Sequence, residues 1–220
     1  MSEEFQCIFI HIPKCAGTSI ERSLGLHRDG IQRGAQDHRR IINLENSIWP
    51  PDRGSFNPLA FAHYVKQRTF AKKRGYSIPT FSEWQSFYKF AIVRNPWDRV
   101  YSWYRNVIRD PFHRHNFKIS DTCTFEEFAD LHLECWALDP QLDWLKDSKG
   151  QVAVDYVGFF EDLGQAYAHV RDVLGINDSE LPNLLSSSIV DYREHYSDAL
   201  RQRVANKYAE EIEMFSYAFE

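Results

Sequence analysis

The chain has 220 residues, of which 43% are hydrophobic and 15% aromatic, so it is long enough to form a single folded domain, 1–220, with a substantial core. Its net charge of −5 gives no support for a nucleic-acid partner. No stretch reaches the ~18 apolar residues of a membrane span, and the apolar run after the acidic first residues is too short for a signal peptide, so we expect a cytoplasmic protein.

The first predicted elements are a buried strand, a loop over residues 13–17 and a helix N-terminus at Thr18 and Ser19. Free N–H groups at a helix start favour an anion, as does the helix dipole, and Lys14 adds a full positive charge. These features predict a phosphate-binding loop. It is not a Walker A loop, because Lys14 comes before Gly17 instead of following the second glycine.

A second motif follows the next buried strand of the chain. Arg94 stands at the end of that strand, Asn95 is a suitable N-cap, and Pro96 suits the first turn of a helix. Ser102 lies two turns into this helix. The fork-shaped guanidinium of Arg94 suits a phosphate, although an arginine at a strand end can also pair with a carboxylate such as Asp98.

The remaining pattern alternates strands, loops and helices. It predicts an α/β protein with a three-layer, P-loop-like fold, in which helices flank a central parallel β-sheet. Capping boxes are predicted at Thr80 and Thr124, and Asp162 is expected to cap a later helix. We also expect a hairpin turn near residues 148–150 and a loop at 46–60. The predicted strands are 6–11, 88–93 and 153–160, and the predicted helices are 17–25, 96–108, 125–137, 162–174 and 197–212.

The cysteines show no metal-ligand spacing, so free thiols are expected, with a Cys123–Cys135 bridge as the alternative. Basic residues cluster at 66–74 and 105–115, which suits an anionic acceptor or a solvated surface. The four cysteines are Cys7, Cys15, Cys123 and Cys135.

The motif P-K-x-A-G-T-S, together with R-N-P-W-D-R-x-x-S about eighty residues later, resembles the sulfotransferase family. The resemblance is greater to the carbohydrate branch, which includes heparan sulfate 2-O-sulfotransferases and many bacterial members. A Y-R-x-x-Y stretch at Tyr192 before the last helix also matches. The resemblance implies a cosubstrate, 3′-phosphoadenosine 5′-phosphosulfate (PAPS), a bisphosphate product (PAP), a carbohydrate-like acceptor with a hydroxyl or amine, and no metal.

The resemblance also implies roles for individual residues. The first motif would bind the 5′-phosphosulfate, and the second, through Arg94 and Ser102, the 3′-phosphate. Tyr192 and Arg193 resemble a loop that closes over the 3′-phosphate and adenine. The first-motif residues with this implied role are Lys14, Cys15, Ala16, Gly17, Thr18 and Ser19.

Sulfuryl transfer needs positive charge near the bridging oxygen and a base for the acceptor proton. Lys14 suits the first task, with a simple phosphate clamp as its alternative role. His38 is the first candidate for the base, because relatives often place a histidine after the first helix, and Asp37 could orient it. His63 is the second candidate. His11, the third, is expected to position the loop by a hydrogen bond, and a glutamate as the base, or no base at all, is left open.

Two other functions remain open from the sequence. One is a P-loop nucleotide kinase or ATPase, against which stand the misplaced Lys14 and the absence of an evident Walker B carboxylate after Val93. The other is a non-catalytic nucleotide- or glycan-binding protein, against which stands the presence of Lys14, Arg94 and Ser102.

Overall fold

The computed structural model describes residues 1–26, 36–48, 57–177 and 191–220. Within these ranges a parallel sheet has the order β1 (Cys7–Ile10), β2 (Tyr88–Val93), β3 (Tyr156–Phe159). Its register aligns Ile10, Ala91 and Val157 in one row. Parallel strands with both faces covered need near-continuous apolar runs, as β1 shows. The predicted α/β fold with a central parallel sheet flanked by helices is confirmed.

The helices lie around this sheet and in a second layer beyond it. Short 3₁₀ helices occur at Trp136–Leu138, Phe160–Asp162 and Tyr192–His195. The α-helices are α1 (Gly17–Ser23), α2 (Ile41–Ile48), α3 (Pro58–Arg74), α4 (Phe81–Ser86), α5 (Pro96–Arg109), α6 (Pro111–Phe117), α7 (Phe125–His132), α8 (Leu142–Leu145), α9 (Leu163–Leu174), α10 (Asp198–Lys207) and α11 (Ala209–Phe215).

Two hydrophobic clusters hold these layers together. One surrounds the sheet and includes Ile10, Ile92 and Trp144. The other lies between α5, α7 and α10 and includes Val100 and Phe128. Helix α5 thus buries one side in the second cluster. Its other side, which carries Ser102 and Asn106, therefore lies close to the loop after β1.

Most local signals in the sequence are confirmed. Both capping boxes form, at Thr80 and Thr124, and the Asn95 side chain accepts a hydrogen bond from the N–H of Trp97. Asp162 is the N-cap residue of α9, as predicted, but its side chain makes no capping hydrogen bond, because a 3₁₀ turn leads directly into this helix.

Several element boundaries differ from the predictions. The last predicted helix is divided at Tyr208 into α10 and α11, and the helix predicted over 125–137 ends at His132. The predicted hairpin is reduced to one antiparallel bridge, Lys146 with Val152. The predicted loop at 46–60 overlaps the end of α2 and the start of α3, and residues 49–56 lie outside the described residues.

Helix α3 lacked a recognisable pattern in the sequence, because Ala71 is the one buried residue of its 17 residues, so no apolar stripe marks a buried face. The four cysteines are free, so the predicted free thiols are confirmed. Among the helices of the described ranges, none combines the length and hydropathy that crossing a membrane requires.

Candidate active site

The loop between β1 and α1 has an unusual backbone. Lys14 and Ala16 have positive φ angles, 69° and 58°, which cost about 1–2 kcal/mol each in residues other than glycine. Such alternation turns successive N–H groups into a concave anion-binding nest. The N–H groups of Ala16, Gly17 and Thr18 have no acceptor among the described residues. The loop therefore presents unpaired donors at the start of α1.

The imidazole of His11 lies directly against this loop. Its Nδ1 is 2.8 Å from Oε1 of Glu21, and both residues are buried. A Cβ atom added at Gly17 would come within 2.0 Å of the His11 ring. Glycine is therefore required at position 17 for the loop to approach the imidazole so closely.

Lys14 extends from the loop toward α5. Its Nζ donates a hydrogen bond to Oδ1 of Asn106 at 3.4 Å. Burial, together with the positive charges of Arg94 and Arg109, lowers the pKa of Lys14 from 10.5 to about 8. An anion bound in the loop would offset both effects, because negative charge favours the ammonium form.

Arg94 connects the two sequence motifs. Its Nη1 donates to the carbonyl oxygen of Lys14 at 3.0 Å and to Oγ of Ser102 at 3.1 Å. Its Nε donates to Oδ2 of Asp98 at 2.7 Å, and its guanidinium lies 3.9 Å from the centre of the Phe160 ring. The contact with Ser102 and the alternative pairing with Asp98 thus both occur.

The other loop residues have different environments. The Cys15 side chain points inward, and its Sγ donates to Oε1 of Gln141 at 3.3 Å. Burial raises the pKa of this thiol to about 12, so the thiol stays protonated, and the backbone N–H of Cys15 donates to the carbonyl oxygen of Ile12 at 3.4 Å. Thr18 Oγ1 accepts a hydrogen bond from Gln36 Nε2 at 2.8 Å, and Ser19 is buried at the start of α1.

His38 lies beside His11, with 4.3 Å between the ring centres. Its Nδ1 is 2.9 Å from the carbonyl oxygen of His11, so Nδ1 donates and Nε2 is left as an acceptor. Burial, together with the neighbouring His11, lowers the pKa of His38 to about 3, so the ring is neutral at physiological pH. Asp37 does not contact this ring, because its carboxylate pairs with Arg39.

The structure does not bring every predicted residue to the loop. His63 is exposed on α3, and no contact among the described residues joins it to the loop. Arg193 pairs with its neighbour Asp191 at 2.7 Å, and the Tyr192 hydroxyl donates to the carbonyl oxygen of Glu220 at 2.8 Å. The turn that holds them is attached to α5 by the Tyr196 hydroxyl.

Two polar residues at the site were missed by sequence reasoning. Gln141 and Glu211 are buried, and Gln141 contacts both Cys15 and Arg94. They belong to no motif, and only their polarity in apolar surroundings could have drawn attention. Arg99, the second arginine of the R-N-P-W-D-R-x-x-S motif, is fully buried and donates to the carbonyl oxygens of Pro13, Ala137 and Asp139.

Comparison with known proteins gives one positive result. The model of the Sulfotransferase family matches residues 1–218. No curated protein and no solved structure gives a significant match. Among the described residues, no group of three or more His, Cys, Asp or Glu is placed to hold a metal ion. Because the family match extends over nearly the whole chain and includes the loop, Arg94 and Ser102, this protein belongs to the sulfotransferase family.

Proposed function

We propose that this protein transfers a sulfuryl group from PAPS to a hydroxyl, or an amine, of a carbohydrate-like acceptor. The observation that carries the proposal is the position of Arg94, whose Nη1 contacts both Ser102 and the backbone of Lys14. These contacts support two cationic, donor-rich sites that lie side by side, one at the Lys14 loop and one at Arg94. PAPS has anionic groups on both sides of its ribose, so its charge distribution fits this arrangement.

The chain offers separate donors for the two ends of the cosubstrate. The unpaired N–H groups of residues 16–18 and the Lys14 ammonium would hold the 5′-phosphosulfate. The guanidinium of Arg94 and the hydroxyl of Ser102 would hold the 3′-phosphate. Arg193 would have to leave Asp191 to take part. When bound, PAPS supplies the activated sulfuryl group.

Lys14 would stabilise the negative charge that develops on the bridging oxygen during transfer. Its pKa of about 8 rises when an anion binds in the loop, so the ammonium form is favoured at the point where positive charge is needed. Neutral His38 has a free Nε2 lone pair and is our candidate for the base that takes the acceptor proton. Its pKa of about 3 would have to rise for this step, and the negative charge of a ligand bound in the loop acts in that direction. His63, exposed on α3, remains the second candidate.

The acceptor would approach from the side of Lys14 that faces α5. A cavity of about 210 Å³ is lined there by Asn106, Arg109, Asp110 and Pro111, and Asn106 accepts a hydrogen bond from Lys14. The exposed Arg109 contributes a positive charge to this cavity and Asp110 a negative one, so the lining suits a polar acceptor such as a sugar. Three further features stay predictions from the sequence. They are membership of the heparan sulfate 2-O-like and bacterial branch, the single domain and the cytoplasmic location.

The experiment that tests this function is calorimetric binding of PAP, ADP and ATP in the presence of EDTA. PAP and ADP differ in where the second phosphate is attached, so the comparison isolates the 3′-phosphate site. We expect clear preference for PAP without metal. Equal binding of PAP and ADP, or ATP binding that needs magnesium, would instead indicate a P-loop kinase or ATPase.

A further inference from the structure

Gln141 is a fully buried side chain that connects the two motifs from outside both of them. Its Oε1 accepts hydrogen bonds from the backbone N–H of Arg94 at 2.8 Å and from Sγ of Cys15 at 3.3 Å. Its Nε2 donates to the carbonyl oxygen of Arg94 at 2.8 Å. The side-chain amide of Gln141 therefore connects the end of β2 to the middle of the loop after β1.

The amide is the chemical group that this position requires. A primary amide carries a donor and an acceptor at one end, so it can pair with both the N–H and the C=O of Arg94, as a neighbouring strand would. A carboxylate lacks the donor, and an apolar side chain would leave both backbone groups of Arg94 without this partner in a partly buried place. The chain direction at the end of β2 depends on this pairing.

Glu211 of α11 holds Gln141 in turn. Its Oε1 accepts from Gln141 Nε2 at 2.9 Å, and its Oε2 accepts from the backbone N–H of Gln141 at 2.5 Å. Glu211 is buried as well, and Arg99 supplies positive charge nearby. Gln141 is thus held through both its backbone N–H and its side-chain amide. A rotation that exchanged the oxygen and the nitrogen of the amide would break these hydrogen bonds.

We infer that Gln141, oriented by Glu211, is a positioning residue that sets the spacing between the Lys14 loop and Arg94, and so lets one ligand occupy both anion sites at once. This inference rests on the proposed function, because it assumes a ligand with two anionic groups. A ligand with two linked groups gains affinity from the second site only if the spacing of the sites matches that of the groups. Gln141 touches neither group and acts through Cys15 and Arg94.

The test measures how strongly the two phosphate sites cooperate. Calorimetry gives the affinities of PAP, adenosine 3′-monophosphate and adenosine 5′-monophosphate for wild type, Gln141→Leu and Glu211→Gln. Glu211→Gln keeps the shape of the side chain and an acceptor, so it remains informative if Gln141→Leu does not fold. Tyr208→Phe is the control, because the buried hydrogen bond that it removes, to the carbonyl oxygen of Leu138, involves neither Gln141, nor Arg94, nor the Lys14 loop.

We expect wild type to bind PAP far more tightly than either monophosphate. In Gln141→Leu the affinity for PAP should fall by about 10- to 100-fold, while both monophosphate affinities stay close to wild type. Glu211→Gln should show a smaller fall of the same kind, and Tyr208→Phe none. A role in stability alone would lower all three affinities together, or none of them.

Unchanged cooperation between the phosphates in a folded Gln141→Leu protein would overturn the inference and leave the proposed function intact. If Gln141→Leu does not fold, wild-type cooperation in Glu211→Gln would overturn it equally. A wild type that binds PAP no better than the monophosphates would overturn the proposed function itself and this inference with it. The two failures are therefore distinguishable.

Discussion

Lys14 should destabilise the folded protein when no anion is bound. Burial and the charges of Arg94 and Arg109 lower its pKa from 10.5 to about 8. A lysine whose pKa is lower in the folded than in the unfolded state costs stability while it is protonated, and this cost disappears as the pH rises from about 8 to 10.5. Since one pKa unit is worth about 1.4 kcal/mol, the difference between 10.5 and about 8 sets an upper bound of about 3–4 kcal/mol.

The substitution Lys14→Met removes the charge and keeps most of the side-chain length. Urea unfolding at pH 7, in a buffer free of phosphate and sulfate, should show a free energy of unfolding higher than wild type by about 1–3 kcal/mol. Turnover should be lost. Added PAP should reverse the order of stability, because wild type binds it more tightly. The exposed Lys72 of α3 is a matched control, and Lys72→Met should change stability by less than about 0.5 kcal/mol.

The pH dependence provides the decisive comparison. The stability difference between Lys14→Met and wild type should be constant below pH 8 and shrink between about pH 8 and 10.5. Two results would refute the argument that the folded protein holds the Lys14 ammonium at a cost in stability. One is a Lys14→Met variant that is less stable than wild type at pH 7, and the other is a stability difference that does not change with pH.

Four further predictions concern Gly17, His38 and Arg94. Gly17→Ala should cost about 1–3 kcal/mol in urea unfolding and weaken PAP binding, because its Cβ would meet the His11 ring; in Gly164→Ala, where the Cβ meets nothing within 4 Å, we expect no loss of stability. His38, with a pKa of about 3, should show no NMR titration between about pH 5 and 8, and a titration midpoint near 6.5 would contradict its burial. Its contribution to the free energy of unfolding should fall as the pH drops from 6.5 toward 3. His38→Ala should lower turnover with PAP affinity intact. Arg94→Lys keeps the charge but loses the fork, so calorimetry should show about 10- to 100-fold weaker PAP binding and little change for adenosine 5′-monophosphate; equal losses for both ligands would assign Arg94 to structure alone.

The sequence by itself determined the features that depend on neighbouring residues. A strand end, a helix cap and a capping box need only residues within one turn, so Asn95, Pro96 and Thr80 could be assigned without the structure. The same holds for the loop around Lys14. The parallel sheet followed from apolar runs that alternate with helices.

Only the tertiary structure decided which distant groups meet. The bond from Arg94 Nη1 to the backbone of Lys14 spans 80 residues of sequence and depends on the register of β1 against β2. The roles of Gln141 and Glu211, and the pKa values of Lys14 and His38, arise from burial beside specific partners. Burial and long-range pairing are products of packing, and no local pattern in the chain encodes them.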